Sequence, residues 1–216
     1  MSKTKETTID KINDEERYFS YWLDELIEAG YVTKKYEQKS YVLTDEVKAT
    51  RSWETKKGVK SEEFTLIPEH SYTPDFEFVF SNRAKNLFYH DTYGGYEYRP
   101  FFYCRNYFDN INNNSICIDI KGAFVQQFNS AITFPDRQAM LWQRHQIYVQ
   151  KVIPFDLSGK KKTLFSLTFT PKKVIEELVY KTDKPGKWKK GDSKIKWKVK
   201  TLEEYVREHI TTTTMD

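Results

Sequence analysis

The run of residues 116–122, Ile-Cys-Ile-Asp-Ile-Lys-Gly, constrains the fold of this chain more than any other stretch. Three isoleucines alternate with Cys117, Asp119 and Lys121, and Gly122 closes the run. Alternation with a period of two is typical of a β-strand. It places Asp119 and Lys121 on the same face of that strand, about 6.6 Å apart along it. The run therefore predicts a carboxylate and an ammonium held side by side on a stiff piece of backbone.

A second stretch, residues 71–76, offers another carboxylate beside a strand. It reads Ser-Tyr-Thr-Pro-Asp-Phe, and Asp75 is followed by an apolar, β-rich run. If the two strands are neighbours, Asp75, Asp119 and Lys121 form a divalent-metal site with a positioned amine. Two carboxylates suit Mg²⁺, which keeps water and substrate phosphate in its other positions, and we expect Mn²⁺ to substitute. Lys121 could then orient or deprotonate an attacking water and offset charge at phosphorus.

These residues resemble a known signature. Pro74–Asp75 followed by Asp119-x-Lys121 resembles the PD-(D/E)xK nuclease motif, and residues 70–76 are similar to the corresponding stretch of phage endonuclease I, a Holliday-junction resolvase. The resemblance implies an α/β fold of the restriction-endonuclease type, with a mixed β-sheet flanked by helices. It also implies Mg²⁺-dependent cleavage of phosphodiester bonds in DNA. The distance from Asp75 to Asp119 is longer than in compact members of the family, which predicts an insertion between them.

The first predicted helix supplies two further acids. Asn13 and Glu16 have the spacing of a capping box, and an apolar stripe runs from Tyr18 until Gly30 ends the helix. Because nucleases of this class often carry a metal-binding acid on the first helix, the resemblance makes Glu15 the candidate. A small change in helix phase would exchange it for Glu16, so both remain candidates. The resemblance also admits the Ile120 carbonyl as a metal ligand.

The predicted insertion, residues 87–110, is dense in aromatic residues and contains Gly94–Gly95. Glycines between tyrosine-rich arms favour a β-hairpin. Such a hairpin could pack on the sheet through cross-strand aromatic pairs, or it could stack on unpaired bases with help from Arg99 and Arg105. His70 lies just before the second stretch. It could act as a metal ligand or proton carrier, or it could be a turn residue that forms hydrogen bonds.

Positive charge is concentrated near the C-terminus. Residues 181–200 hold nine lysines against two aspartates, a formal charge of +7, whereas the whole chain carries +4. Such a segment is typical of one that follows a polyanion backbone, although lysines also protect an edge strand from aggregation. Arg144 and His145, on a predicted helix over 135–146, are further candidates for phosphate contact. The complete set of predicted DNA-binding residues is Lys187, Trp188, Lys189, Lys190, Lys194, Lys196, Lys198, Arg144 and His145.

The remaining secondary structure is predicted from local patterns. We expect one or two strands within 31–43 and a charged loop or surface insertion over 44–60. Further strands are expected at 64–67, 72–80, 147–154, 163–170 and 194–200. A loop over 123–133 and helices at 172–180 and 202–210 complete the prediction. The organisation we expect is a nuclease-like domain over 1–180 followed by a basic extension over 181–216.

Composition and motifs limit the other possibilities. Two cysteines without a CxxC spacing argue against a zinc site, and P-loop, GxSxG and HExxH motifs are absent from the sequence. No apolar run approaches the roughly 20 residues that span a bilayer, and residues 1–8 are polar, so we expect a cytoplasmic protein that does not enter membranes.

The leading hypothesis is a DNA endonuclease of phage or mobile-element replication and recombination. Branched DNA is the leading substrate, and a homodimer is the assembly that resolution of branched DNA favours. The alternatives are a non-catalytic DNA-binding or scaffold protein on the same fold, or a nuclease subunit that needs a targeting partner.

Overall fold

The structure of the protein is a computed structural model that describes residues 14–90, 101–104, 114–123, 130–180 and 195–213. Within these ranges the elements are α1 (Asp14–Glu28), β1 (Val32–Tyr36), β2 (Tyr41–Thr44), β3 (Val47–Thr55), β4 (Gly58–Ile67), β5 (His70–Tyr72), β6 (Phe76–Phe80), a 3₁₀ turn (Asn82–Ala84), β7 (Tyr89–His90), β8 (Phe102–Tyr103), β9 (Ser115–Ile120), α2 (Ser130–His145), β10 (Val149–Val152), α3 (Leu164–Leu167), α4 (Lys172–Ile175) with a π-helical continuation (Glu176–Tyr180), and α5 (Leu202–Thr213).

A mixed four-stranded sheet in the order β1-β6-β9-β10 lies at the centre. β1, β6 and β9 pair antiparallel, whereas β10 runs parallel to β9. A parallel pair needs a long crossover, and the chain supplies it with α2, which lies between β9 and β10 in sequence. The coarse prediction of an α/β fold with a mixed sheet and several helices is therefore confirmed.

One face of the sheet packs on α1 through an aromatic core. The stripe predicted for this helix is buried, and Trp22 at its centre is completely buried. Its ring lies 5.6–5.8 Å from the rings of Phe88, Phe102 and Phe169. These separations are typical of favourable aromatic pairs. Gly30 then ends the helix in the left-handed region at φ +74°, as glycine commonly does.

A smaller apolar cluster covers the other face. Strands β2 and β5 pair antiparallel, and their buried residues pack with α2 and with one face of β9 and β10. The members of this cluster are Tyr41, Leu43, Tyr72, Cys117, Leu141 and Val149. The position of Cys117 in this cluster shows that the face of β9 carrying Cys117 and Asp119 lies on the α2 side of the sheet.

Residues 44–60, predicted to be a loop or a surface insertion, form much of a long, exposed antiparallel ribbon, so the loop alternative is wrong. β3 pairs with β4 along its whole length, and Gly58 turns the chain at φ +118°. Nearly every residue of the ribbon is exposed, including Trp53 at 42%. Sequence periodicity failed here because neither face of the ribbon is buried, so the apolar alternation that identifies a strand is missing.

Three further strand predictions differ from the structure. The strand expected over 72–80 is interrupted between β5 and β6, where Pro74 cannot donate to a ladder. Residues 163–170 contain the short helix α3, because Thr163 and Ser166 form a capping box. Residues 195–200 pair with no described strand, although Ile195 is buried and Lys196 and Lys198 are exposed, as strand alternation predicts.

The boundaries of α2 and of the aromatic insertion also differ from prediction. The helix begins at Ser130 rather than at Pro135, which lies inside it. Of the predicted insertion, Tyr89–His90 and Phe102–Tyr103 pair in parallel, unlike the two arms of a hairpin. Gly94–Gly95, Arg99 and Arg105 lie outside the described residues.

The described part of the C-terminal region packs on the core rather than standing apart from it. Ile195, Leu202 and Tyr205 belong to the same cluster as Trp22, and the Tyr205 hydroxyl donates to the Leu87 carbonyl at 2.7 Å. α5 extends over Leu202–Thr213, which confirms the last predicted helix. Among the described helices, none has the length and apolar character needed to cross a membrane.

Truncation of Trp22 should test where the core lies. We expect Trp22→Ala to lower the free energy of unfolding by about 3–5 kcal/mol, since it empties a fully packed site. The matched change Trp53→Ala, on the ribbon, should change it by less than about 0.5 kcal/mol. Urea unfolding of both variants measures the difference, and equal losses would contradict the described core.

Candidate metal centre

The pairing of β6 with β9 brings the two predicted carboxylates together. Phe76 lies opposite Ile118 and Glu77 opposite Cys117, and Asp75 lies in the bend just before β6. The charge of Asp119 raises the pKa of Asp75, so the two carboxylates lie close enough to interact. Both carboxylates therefore belong to one site, at the point where β6 begins and β9 ends.

Asp75 is fastened to the end of β9 by two hydrogen bonds. Its main-chain N–H donates to the Ile118 carbonyl at 3.1 Å. Its Oδ2 accepts from the Ile120 N–H at 2.6 Å. The half-buried carboxylate is consequently held against the end of β9.

Asp119 is buried beside Lys121. The Asp119 side chain is 5% exposed, and its Oδ2 lies 2.5 Å from the Lys121 ammonium. The same oxygen is shielded from solvent and has no hydrogen bond of acceptable geometry to any described residue. The contact with Lys121 is thus an ion pair without an aligned hydrogen bond. The Lys121 ammonium compensates this charge, and a buried carboxylate oxygen is also a donor that a divalent cation binds.

The pKa of Asp75 reflects its burial and the other charged groups of the site. Burial raises the pKa of Asp75 to about 6, against the opposing effect of the Ile120 hydrogen bond. The negative charges of Asp119 and Glu16 raise this pKa further, and the Lys121 ammonium lowers it. The charges of Asp119, Glu16 and Lys121 therefore all influence the protonation of Asp75.

Of the two acids that the sequence left open on α1, Glu16 acts on the charge of Asp75. Both Glu15 and Glu16 are half-buried in the first turn of the helix, and the negative charge of Glu16 raises the pKa of Asp75. Asn13, the predicted cap, lies outside the described residues. The α1 stripe continues through Phe19, whose ring lies 4.9 Å from that of Phe76, next to Asp75.

Tyr72 is a part of the site that the motif search did not assign. Its buried hydroxyl has no hydrogen bond of acceptable geometry to the described residues. Burial and then the charge of Asp119 raise the pKa of this hydroxyl. The Arg137 guanidinium of α2 lies 5.8 Å from the centre of the Tyr72 ring. Its position two residues before Pro74 was the sequence signal that could have made Tyr72 a candidate. Local sequence could not show, however, that its hydroxyl lies near Asp119.

The geometry offers two carboxylates rather than a complete cage. Within the described ranges, no group of three or more His, Cys, Asp and Glu side chains is arranged to hold a metal ion. His70 is exposed on β5, opposite Thr44. Two carboxylates with space for water and substrate oxygens are the donor set that Mg²⁺ uses, so the residues present fit this ion.

The predicted DNA-binding residues that the structure describes lie in two different parts of the molecule, the end of α2 and the C-terminal segment. Arg144 pairs with Asp45 at 2.6 Å, and the His145 Nε2 lies 2.7 Å from the Val42 carbonyl, so both join α2 to the region of β2. Lys196 and Lys198 are exposed. The remaining predicted residues, Lys187, Trp188, Lys189, Lys190 and Lys194, lie outside the described residues.

Comparisons of the chain with protein-family models, with curated proteins and with solved structures found no match.

The raised pKa of Asp75 predicts a pH-dependent stability. An unfolded aspartate titrates near 3.9, so between about pH 4 and 6 the folded protein binds the extra proton. Its free energy of unfolding should then fall as the pH rises through this window, by about 1–2 kcal/mol after allowance for partial exposure, and level off above pH 6. Urea unfolding in EDTA measures this slope. Asp75→Asn should remove the slope, and parallel profiles for the two proteins would contradict it.

Proposed function

We propose that this protein is a Mg²⁺-dependent DNA endonuclease with a fold of the restriction-endonuclease type. The observation that carries the proposal is the convergence of Asp75, Asp119 and Lys121 at one strand end, where Asp119 Oδ2 is buried without an aligned hydrogen bond. The mixed sheet with flanking helices is compatible with the fold that the PD-(D/E)xK resemblance implies.

Asp75 and Asp119 would hold the ion, with Glu16 close enough to assist through its charge. A bound Mg²⁺ would supply charge stabilisation at the phosphoryl oxygens and make a coordinated water more acidic. The Ile120 carbonyl stays a proposed further ligand.

The role of Lys121 follows from its place at the edge of the site. Its side chain is 25% exposed, so the ammonium touches buried Asp119 and also faces solvent. From there it can hydrogen-bond an attacking water and offset the charge that develops on a phosphate. Asp75 must be ionised to bind a cation, so its raised pKa predicts that metal binding weakens as the pH falls through about 6.

DNA is the proposed substrate because of the signature and the charge distribution. Nine lysines in residues 181–200 give that segment the charge that a phosphate backbone requires, and Lys196 and Lys198 are exposed. The likeness to phage endonuclease I favours branched DNA and a role in phage or mobile-element recombination. A homodimer would cut two strands symmetrically.

Plasmid cleavage tests the enzyme directly. We expect supercoiled or cruciform-bearing plasmid to be cut with Mg²⁺ or Mn²⁺ and to stay intact in EDTA. Asp119→Asn should abolish cutting because it removes a charge from the ion site, and Lys121→Met should slow it roughly 10²- to 10³-fold. Gel-shift titration in EDTA should show that both variants still bind DNA.

Two results would replace the proposal. DNA binding without cleavage of any form by the wild-type protein would support the non-catalytic DNA-binding or scaffold function. Cleavage only when a cellular partner is added would support a nuclease subunit.

The acid supplied by α1 can be identified with a matched pair of variants. We expect Glu16→Gln to weaken Mn²⁺ binding roughly ten-fold, because the Glu16 charge acts on Asp75, and we expect Glu15→Gln to change it little. Electron paramagnetic resonance of unbound Mn²⁺ measures both affinities without any catalytic step. The reverse order would return the assignment to Glu15.

A further inference from the structure

An aromatic groove of about 440 Å³ lies along β10, the edge strand of the central sheet. Four half-buried rings and three polar side chains contribute to its lining. The rings are those of Phe101, Tyr103, Phe134 and Tyr148, and the polar side chains are Gln138, Gln150 and Lys151. The volume is within the range of small-molecule sites, and a mostly apolar lining with few polar groups is their usual composition.

The walls of this groove are fixed by hydrogen bonds to β10. The buried Gln150 side chain accepts from the Tyr103 N–H and donates to the Tyr103 carbonyl, both at 2.8 Å. On the opposite side, the Gln138 amide of α2 donates to the Val149 carbonyl. The rings consequently stand on a rigid edge, so a ligand would meet them with little loss of conformational freedom.

The groove borders the candidate metal centre. Lys151 lies opposite Asp119 in the parallel pairing of β9 and β10, about one strand spacing of 4.8 Å away. Residues in register on parallel strands project from the same face, so the Lys151 ammonium belongs to the side of the sheet that carries Asp119. α2 also spans both places, since Gln138 lines the groove and the adjacent Arg137 lies over Tyr72.

We infer that this groove binds an unpaired nucleotide adjacent to the phosphate that is cut, an inference that rests on the proposed function. Exposed faces of aromatic rings stack on bases, and they accept any base because every base has a π-face. Lys151 supplies the cation for the neighbouring phosphate, between the rings and the acidic centre. A paired base has its faces covered by the stack, so the groove selects single-stranded or distorted DNA over a regular duplex.

Binding of a short fluorescein-labelled oligothymidylate, measured by anisotropy in EDTA, tests this inference with the full chain. We expect Tyr148→Leu to weaken binding roughly 5- to 150-fold, the range for loss of one stacked base, and Tyr148→Phe to retain it. Lys151→Ala should reduce the dependence of log affinity on log salt by about one. Affinity for a blunt duplex of the same length should be unchanged in Tyr148→Leu.

Trp53→Leu is the matched control, because it removes an exposed aromatic ring from the β3–β4 ribbon, away from the groove lining. It should bind oligothymidylate like the wild-type protein. Thermal unfolding of each variant establishes that the fold is kept. No oligothymidylate binding by the wild type, or equal affinity in wild type, Tyr148→Leu and Lys151→Ala, would overturn the inference.

The groove and the enzyme can fail separately. If Tyr148→Leu loses oligothymidylate binding but the wild-type protein cuts no DNA with Mg²⁺, the groove is supported and the nuclease is not. If the wild-type protein cuts DNA and Tyr148→Leu binds oligothymidylate normally, the nuclease is supported and the groove is not.

Discussion

The antiparallel register between β6 and β9 determines the rest of the candidate centre. With Phe76 opposite Ile118, Asp75 just before β6 is held at the end of β9, and its carboxylate reaches the Ile120 N–H. A slip of one residue would send the side chains of β9 to the opposite faces of the sheet. Asp119 would then point into the aromatic core around Trp22, where nothing could compensate its charge. The buried isoleucines of β9 therefore fix the chemistry by fixing the register.

The centre is locally unfavourable and depends on the rest of the molecule for support. Asp119 Oδ2 and the Tyr72 hydroxyl are both buried without an aligned hydrogen bond to the described residues. Asp75 is held beside other negative charges, which raise its pKa. A protein tolerates such an arrangement where a ligand relieves it, and unsatisfied groups of this kind concentrate at functional sites. The large aromatic core on the α1 side contributes favourable free energy of folding, which offsets this local cost.

The two faces of the central sheet differ in what they contain. The α1 side is filled by aromatic residues, and the C-terminal segment joins it through Ile195 and Tyr205. The α2 side carries Asp119 and Lys151, and Lys151 also lines the groove along β10. α2 forms the crossover between the parallel strands β9 and β10, and its Arg137 lies over Tyr72 at the site. The same helix therefore connects two strands of the sheet and flanks the site.

The sequence by itself determined the elements whose patterns are local. Alternation in residues 116–122 identified β9, the apolar stripe and Gly30 identified α1, and the pairing of Asp119 with Lys121 on one face followed from strand periodicity. Only the tertiary structure decided which strands are neighbours. It set Asp75 against Ile120, brought the charge of Glu16 close to Asp75, and placed Tyr72 beside Asp119. It also folded residues predicted as a loop or surface insertion into a ribbon and left 195–200 without a described partner strand. The reason is physical: periodicity reports which face of an element is buried, whereas strand partners and distant charges depend on contacts between residues far apart in the chain.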